Sequence, residues 1–146
     1  MIALDTNILV HAHREDSPFH ARALECLAEA SVVEWALPWP CLHEFLAIVT
    51  HPRIFDPPTP AAEAREAVAG WLAAPTVLLL SELPGYWEIL SGLLATSRVD
   101  GPRIHDARVV ALCLQHGVDE LWTADRDFGR FAPADLRIRN PLVGTP

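Results

Sequence analysis

The chain has 146 residues, 51% of them apolar, which allows one sizeable core, leaves no room for two ordinary domains, and excludes intrinsic disorder. No apolar run approaches the roughly 18 residues of a membrane span, and the start lacks a basic segment followed by an apolar stretch and a small-residue cleavage site, so a cytoplasmic location is expected. The formal net charge of −8 is uneven: residues 1–97 carry 4 Arg against 12 acids, residues 98–139 carry 7 of each, and the chain contains no Lys.

Residues 2–7, IALDTN, read as a short buried strand. Asp5, Thr6 and Asn7 interrupt an apolar run that resumes at Ile8; either they cap a following helix or they build a site at the strand's end. HARALECLAEA, residues 20–30, has helical spacing, and VEWALPW reads as a second strand ended by Pro38 and Pro40. CLHEFLAIVTH is a helix stopped by Pro52, and RIFDPPTP a stiff loop. AAEAREAVAGWLAA is a helix, with Thr59 expected as its N-cap and Pro60 at its first position. TVLLLS follows as a strand, GYWEILSGLLAT as a helix, and HDARVVALCLQHG as a helix closed by Gly117. ELWTAD reads as a strand, and LRIRNPL as another. Strands alternating with helices predict a three-layer α/β/α sandwich around a mainly parallel sheet, with ligands bound beyond the carboxyl ends of the strands.

The acids are the informative residues. Asp5 and Asp125 each end a strand, and strand ends of one parallel sheet share an edge. Asp127 lies two residues on, Asp106 opens a helix after Gly101 and Pro102, and Glu44 sits within a mostly apolar helix, where a bare carboxylate needs a partner. Taken singly, Asp106 and Asp127 also suit the first turn of a helix, and Glu44 a solvated position. Taken together, converging carboxylates repel by about 4 kcal/mol per close pair in a moderate dielectric. No Lys is present to neutralise them, whereas a divalent cation would, and an oxygen-only donor set favours magnesium or manganese over zinc.

Other chemistries find less support. Cys26, Cys41 and Cys113 are odd in number, far apart and without a C-x-x-C, and are expected as buried free thiols. His11 and His13, at i and i+2, point to different faces of a helix and make a poor ligand pair; His105 is expected as a local hydrogen-bonding partner of Asp106. The missing Lys disfavours P-loop hydrolases, receiver domains and haloacid-dehalogenase-like phosphatases, the last also because position 7 is Asn where D-x-D is wanted.

IALDTNILV at the start, HEF on the first long core helix, and HDARVVALCLQHGVDELWTADRDFGRF near the carboxyl end together resemble the PIN-domain ribonucleases, especially the VapC-type toxins of toxin–antitoxin pairs. The resemblance spans almost the whole chain and implies a single PIN domain over residues 1–146. It places the family's four acids on Asp5, Glu44, Asp106 and Asp125, with Asp5, Asp106 and Asp125 as metal ligands and Glu44 orienting or deprotonating the attacking water. Asp127 falls as an auxiliary acid, and Thr6 and Asn7 as groups that orient Asp5 and its neighbours. It implies a magnesium-dependent endoribonuclease (manganese as alternative ion) leaving 5′-phosphate and 3′-hydroxyl ends. The implied partners are RNA, with transfer or ribosomal RNA as candidate forms, a cognate antitoxin whose tail enters the acidic pocket, and a second copy of the chain. On this reading Asp5 serves a site rather than a helix cap. Arg98, Arg103, Arg108, Arg126 and Arg130 are candidates for phosphate contacts. Trp35, Trp39, Trp71, Trp87 and Trp122 are expected to enrich the core. The rivals are a structure-specific DNA nuclease on the same site and a catalytically silent PIN-like scaffold.

Overall fold

The computed structural model describes residues 1–131 and 135–143, so the single domain expected over 1–146 includes two short segments, 132–134 and 144–146, outside the described residues. Five strands form one sheet in the order β3-β2-β1-β4-β5, every neighbouring pair parallel. They are β1 (Ile2–Leu4), β2 (Trp35–Pro38), β3 (Val77–Leu80), β4 (Glu120–Trp122) and β5 (Arg137–Arg139). Six α-helices connect them: α1 (Thr6–His13), α2 (His20–Ser31), α3 (Trp39–Val49), α4 (Ala61–Leu72), α5 (Tyr86–Ser97) and α6 (Ile104–Gln115). The expected α/β/α sandwich is therefore the observed architecture.

The pleat divides the core. In β1 and β4, Ala3 stands beside Leu121 and Leu4 beside Trp122. Ala3 and Leu121 face a cluster built with α5 and α6, through Leu93, Val110 and Leu112. Leu4 and Trp122 face the opposite cluster, filled by Ile8 and Leu9 of α1, Cys26 of α2, Phe45 of α3 and Val68 of α4. Both faces are covered, as a parallel sheet requires. The outer strand β5 alternates exposed Arg137 and Arg139, charges that blunt a sheet edge, and Arg137 Nη2 lies 2.6 Å from Glu120 Oε1 on β4.

This topology sets the site. β1 is the central strand, and the chain departs from it to opposite sides, first through β2 and later through β4. A crevice opens where the order reverses, beyond the carboxyl ends of β1 and β4. Those ends carry Asp5 and the segment Thr123–Asp125.

Three local expectations need correction. The strand read over residues 2–7 ends at Leu4, and Thr6 and Asn7 belong to the helix Thr6–His13: its Ile8 and Leu9 are fully buried and Val10 and Ala12 nearly so, and an apolar stretch buried on most sides hides where the helix begins. Thr59 does not cap α4; the helix begins after Pro60 without a side-chain cap, while the Thr59 hydroxyl meets His13 Nε2 at 3.1 Å and accepts from Arg14. Trp87 is 66% exposed and lies outside the core, whereas Trp35 and Trp122 are buried. All three cysteines are buried free thiols, and Gly117 ends α6 at φ +67°, where a side chain would be strained.

Candidate active site

Asp5 is the residue that caps α1. Its backbone continues the ladder, donating to Trp122 O at 3.0 Å, and its carboxylate turns back to accept from Thr6 N at 2.8 Å. The expectation that Asp5 is not a helix cap is corrected: one carboxylate caps α1 and also lines a pocket, because α1 starts at the edge where β1 stops.

The surroundings of Asp5 are crowded with donors. Oδ2 accepts from Asn7 Nδ2 and from the Thr123 hydroxyl, both at 2.6 Å. Oδ1 takes the Thr6 N–H and a longer contact, 3.6 Å, from the Cys41 thiol. Asn7 cannot rotate its amide freely, since its Oδ1 accepts from Ala124 N at 2.8 Å. The Thr123 hydroxyl also accepts from Asp125 N at 3.0 Å and from Asn7 Nδ2 at 2.9 Å. One hydroxyl thereby joins the end of β1, the start of α1 and the loop after β4.

Asp5 is only 4% exposed, and burial pushes its carboxyl up to about 6, more than the bonds from Thr123 and Thr6 pull it back; the charge of Glu44 adds to the rise. Asp106, in the first turn of α6, is also held above the ordinary carboxylate range, by burial first and then by the charges of Asp125, Glu44 and Asp127, with His105 opposing. Glu44 lies on the exposed side of α3 rather than in its buried face, and its partner is the Thr6 hydroxyl, 2.6 Å from Oε2. Asp125 caps the 3₁₀ turn Arg126–Arg130, its Oδ1 accepting from Asp127 N at 2.8 Å.

Asp5, Glu44, Asp106 and Asp125 all line one pocket of about 240 Å³, with Thr6, Asn7 and Phe128. Asp127 is not brought into that lining; its side chain is 51% exposed and its oxygen lies 3.8 Å from Arg130 Nε. His105 makes no hydrogen bond among the described residues, contrary to the expectation for it. His11 and His13 do diverge: His11 reaches the pocket and bonds Ser17, while His13 turns to Thr59. Thr123, Cys41 and His11 are contributors that sequence reasoning did not assign. Thr123 was open to detection, standing two residues before Asp125 at a strand end.

Seven other acids have a cationic partner. Asp16, Glu25, Glu29, Glu82, Glu120 and Asp127 each face an arginine, and Asp119 the N-terminal ammonium. Among the described residues no salt bridge reaches Asp5, Glu44, Asp106 or Asp125. Such a set of oxygens fits a hard divalent cation. No three acidic, His or Cys side chains among the described residues gather closely enough to enclose an ion alone.

The PIN domain family matches residues 2–133. The chain belongs to that family. It is 33% identical over 143 residues to Ribonuclease VapC48 of Mycobacterium tuberculosis, covering 96% of this chain and 97% of that protein. It is 37% identical over 147 residues to VapC ribonuclease Mb2897 of Mycobacterium bovis, covering 99% and 97%. These relatives place it in the VapC-type branch of PIN domains. Among solved structures, VapC20 of Mycobacterium tuberculosis, described as a Sarcin-Ricin loop cleaving toxin, superposes with TM-score 0.70 at 17% identity, over 90% of this chain and 95% of that one. FitAcB of Neisseria gonorrhoeae gives TM-score 0.68 at 20% identity, over 97% and 98%. At those identities the two structures attest the fold. No helix among the described residues is long and apolar enough to cross a membrane.

Two outcomes are expected. Because Asp5 has a higher value folded than unfolded, its contribution to stability is complete below 3.8 and is lost as pH rises through about 6. Asp5→Asn cannot titrate, so in chelator its unfolding free energy should move in its favour relative to wild type by about 3 kcal/mol across that window, whatever its offset from lost hydrogen bonds. A difference that stays flat with pH, measured by urea unfolding, would mean an ordinary Asp5. Thr123→Val should remove about 1–3 kcal/mol by taking a donor from Asp5 Oδ2 and an acceptor from the Asp125 N–H, and Thr123→Ser should restore most of it.

Proposed function

We propose that this chain is a magnesium-dependent endoribonuclease, the toxin of a toxin–antitoxin pair, hydrolysing RNA phosphodiester bonds at the acidic pocket, with manganese as an alternative ion. The observation that carries the reading is the convergence of four carboxylates without basic partners on one pocket, in a chain of the VapC-type branch. Asp5, Asp106 and Asp125 are the residues that would hold the ion, which when bound supplies charge neutralisation at the phosphate and lowers the pKa of water.

The chain's own groups do the rest. Asp5 is locked in place by donors from α1, α3 and the end of β4, so its oxygens need not reorganise when substrate arrives. Glu44 is exposed to the pocket and fixed through one oxygen by Thr6, leaving the other to accept a proton from the attacking water. Asp106, already above the ordinary range, is sensitive to any added positive charge nearby. Asp127 serves at a distance, through its field at Asp106 and its backbone bond to Asp125. RNA as substrate, in transfer, ribosomal or another form, comes from the relatives' names as ribonucleases. A cognate antitoxin and a homodimer belong to the same proposal. VapBC2 of Rickettsia felis, a structural neighbour at TM-score 0.62, is a complex bound to a DNA fragment from its promoter.

Excess chelator should abolish cleavage, and magnesium or manganese should restore it. Glu44→Gln should lower the rate by about a hundredfold or more while the protein stays folded. Asp127→Asn should lower it far less. Single-stranded RNA, folded transfer RNA and flapped DNA, assayed side by side, should show cleavage of RNA. Undiminished cutting in chelator, or a preference for the DNA flap, would contradict the reading.

A further inference from the structure

The acidic pocket adjoins a second cavity. That cavity, of about 370 Å³, shares Asp5, Glu44, Asp106 and Phe128 with it and is lined besides by Pro40, Ala47, Val109, His43, His105 and Arg108. The basic residues flank the acids on the same helices: His43 precedes Glu44 on α3, and His105 and Arg108 bracket Asp106 on α6. A chain of net charge −8 thus places three side chains with nitrogen donors in a cavity that also holds Asp5, Glu44 and Asp106.

Arg108 is prepared for an anion. Its Nε and Nη2 both donate to the same oxygen, Oε1 of Glu82, at 3.1 and 2.8 Å, while Nη1 makes no hydrogen bond among the described residues. The side chain remains 39% exposed. Its backbone is braced, since the Tyr86 hydroxyl donates to Arg108 O at 3.4 Å. His43 is set against the Trp39 ring, centroids 5.8 Å apart and planes 35° from parallel, which limits where its N–H groups can go.

We propose that this basic cluster, centred on Arg108 with His43 and His105, is a phosphate subsite that holds the RNA backbone beside the phosphate being cut. The inference rests on the ribonuclease reading above and deepens it. A guanidinium fork matches phosphate oxygens, and imidazole N–H groups add donors. A cavity that sets these donors beside the acids suits a polyanion whose cleaved phosphate sits among the acids with its cation and whose neighbouring phosphate needs positive charge. Glu82 competes for Arg108 and so acts as a brake on this subsite.

The test is binding of a short fluorescent single-stranded RNA in chelator, followed by anisotropy across a salt series, together with cleavage of the same RNA with magnesium. Arg108→Ala should weaken binding about tenfold at low salt, and its slope of log affinity against log salt should be shallower by about 0.7, the share of one phosphate contact on a single strand. Arg108→Lys should keep the slope. Arg65→Ala, on the exposed side of α4, should change neither. Glu82→Gln should tighten binding, because it frees the guanidinium; if Arg108→Ala and Glu82→Gln both weaken it, the pair is structural and the subsite is overturned. An unchanged slope in Arg108→Ala, with wild type still cutting RNA, overturns the subsite alone. Wild type that neither binds nor cuts RNA overturns the ribonuclease reading and the subsite with it. A polyglutamate peptide that binds through Arg108 while RNA binding ignores it would assign this cluster to an acidic protein partner.

Discussion

A carboxylate buried at the end of the central strand is the constraint from which the other features follow. Asp5 stands where β1 stops and α1 begins, and water is almost excluded from it. A charge there must be met by protein donors, and the chain supplies them from α1, α3 and the end of β4. Hydrogen bonds to a charged acceptor are worth roughly 1.5–3 kcal/mol each, yet burial still wins, since the carboxyl rises to about 6. The donors fix the position of Asp5 without fully compensating its charge. That residual deficit is what a cation at the pocket would relieve.

The same network explains why distant parts of the sequence meet. Thr123 and Asn7 are separated by 116 positions and bond at 2.9 Å, because β1 and β4 are adjacent strands. Thr6 carries the connection across to α3 through Glu44. A change at Thr123 is therefore felt by Asp5, by the Asp125 loop and, through Asp5, by the cap of α1. Away from this edge, several acids pair with arginine: Glu25 and Glu29 with Arg22, Asp16 with Arg14, Glu120 with Arg137. Exposed pairs of that kind contribute little to stability. Their relevance is contrast, since among the described residues no arginine pairs with Asp5, Glu44, Asp106 or Asp125.

Much of this was legible in the residues. Alternating strand and helix patterns are enough to imply a parallel sheet, and strand-end acids in such a sheet must share an edge, so Asp5 and Asp125 could be placed together without coordinates. Glu44 and Asp106 needed the family resemblance, because nothing in local spacing says that α3 and α6 both begin at that edge. What was not legible has definite causes. The helix α1 is buried on most sides, so its apolar residues lack a polar face to reveal the period, and Asp5 looked like an interruption rather than a cap. Thr59 carried the sequence signature of a cap, but His13 and Arg14 claim its hydroxyl from across the fold. Trp87 looked like core by composition, yet α5 packs through Leu93 and leaves that indole in solvent. Thr123 is legible as a strand-end residue but carries no signal of its role, since a hydroxyl there acquires its meaning only from the partner strand.

The most direct test of the account is the titration of Asp5 itself, followed by carboxyl carbon NMR in protein freed of divalent metal and again with saturating magnesium. The midpoint should lie near 6 without metal and fall clearly when magnesium is added, while Asp16, paired with Arg14 on the far surface, stays below the ordinary carboxylate range in both. A midpoint near 3.8 in the metal-free protein, or one near 6 that magnesium leaves in place, would contradict the claim that this buried carboxylate is the uncompensated charge around which the site is built.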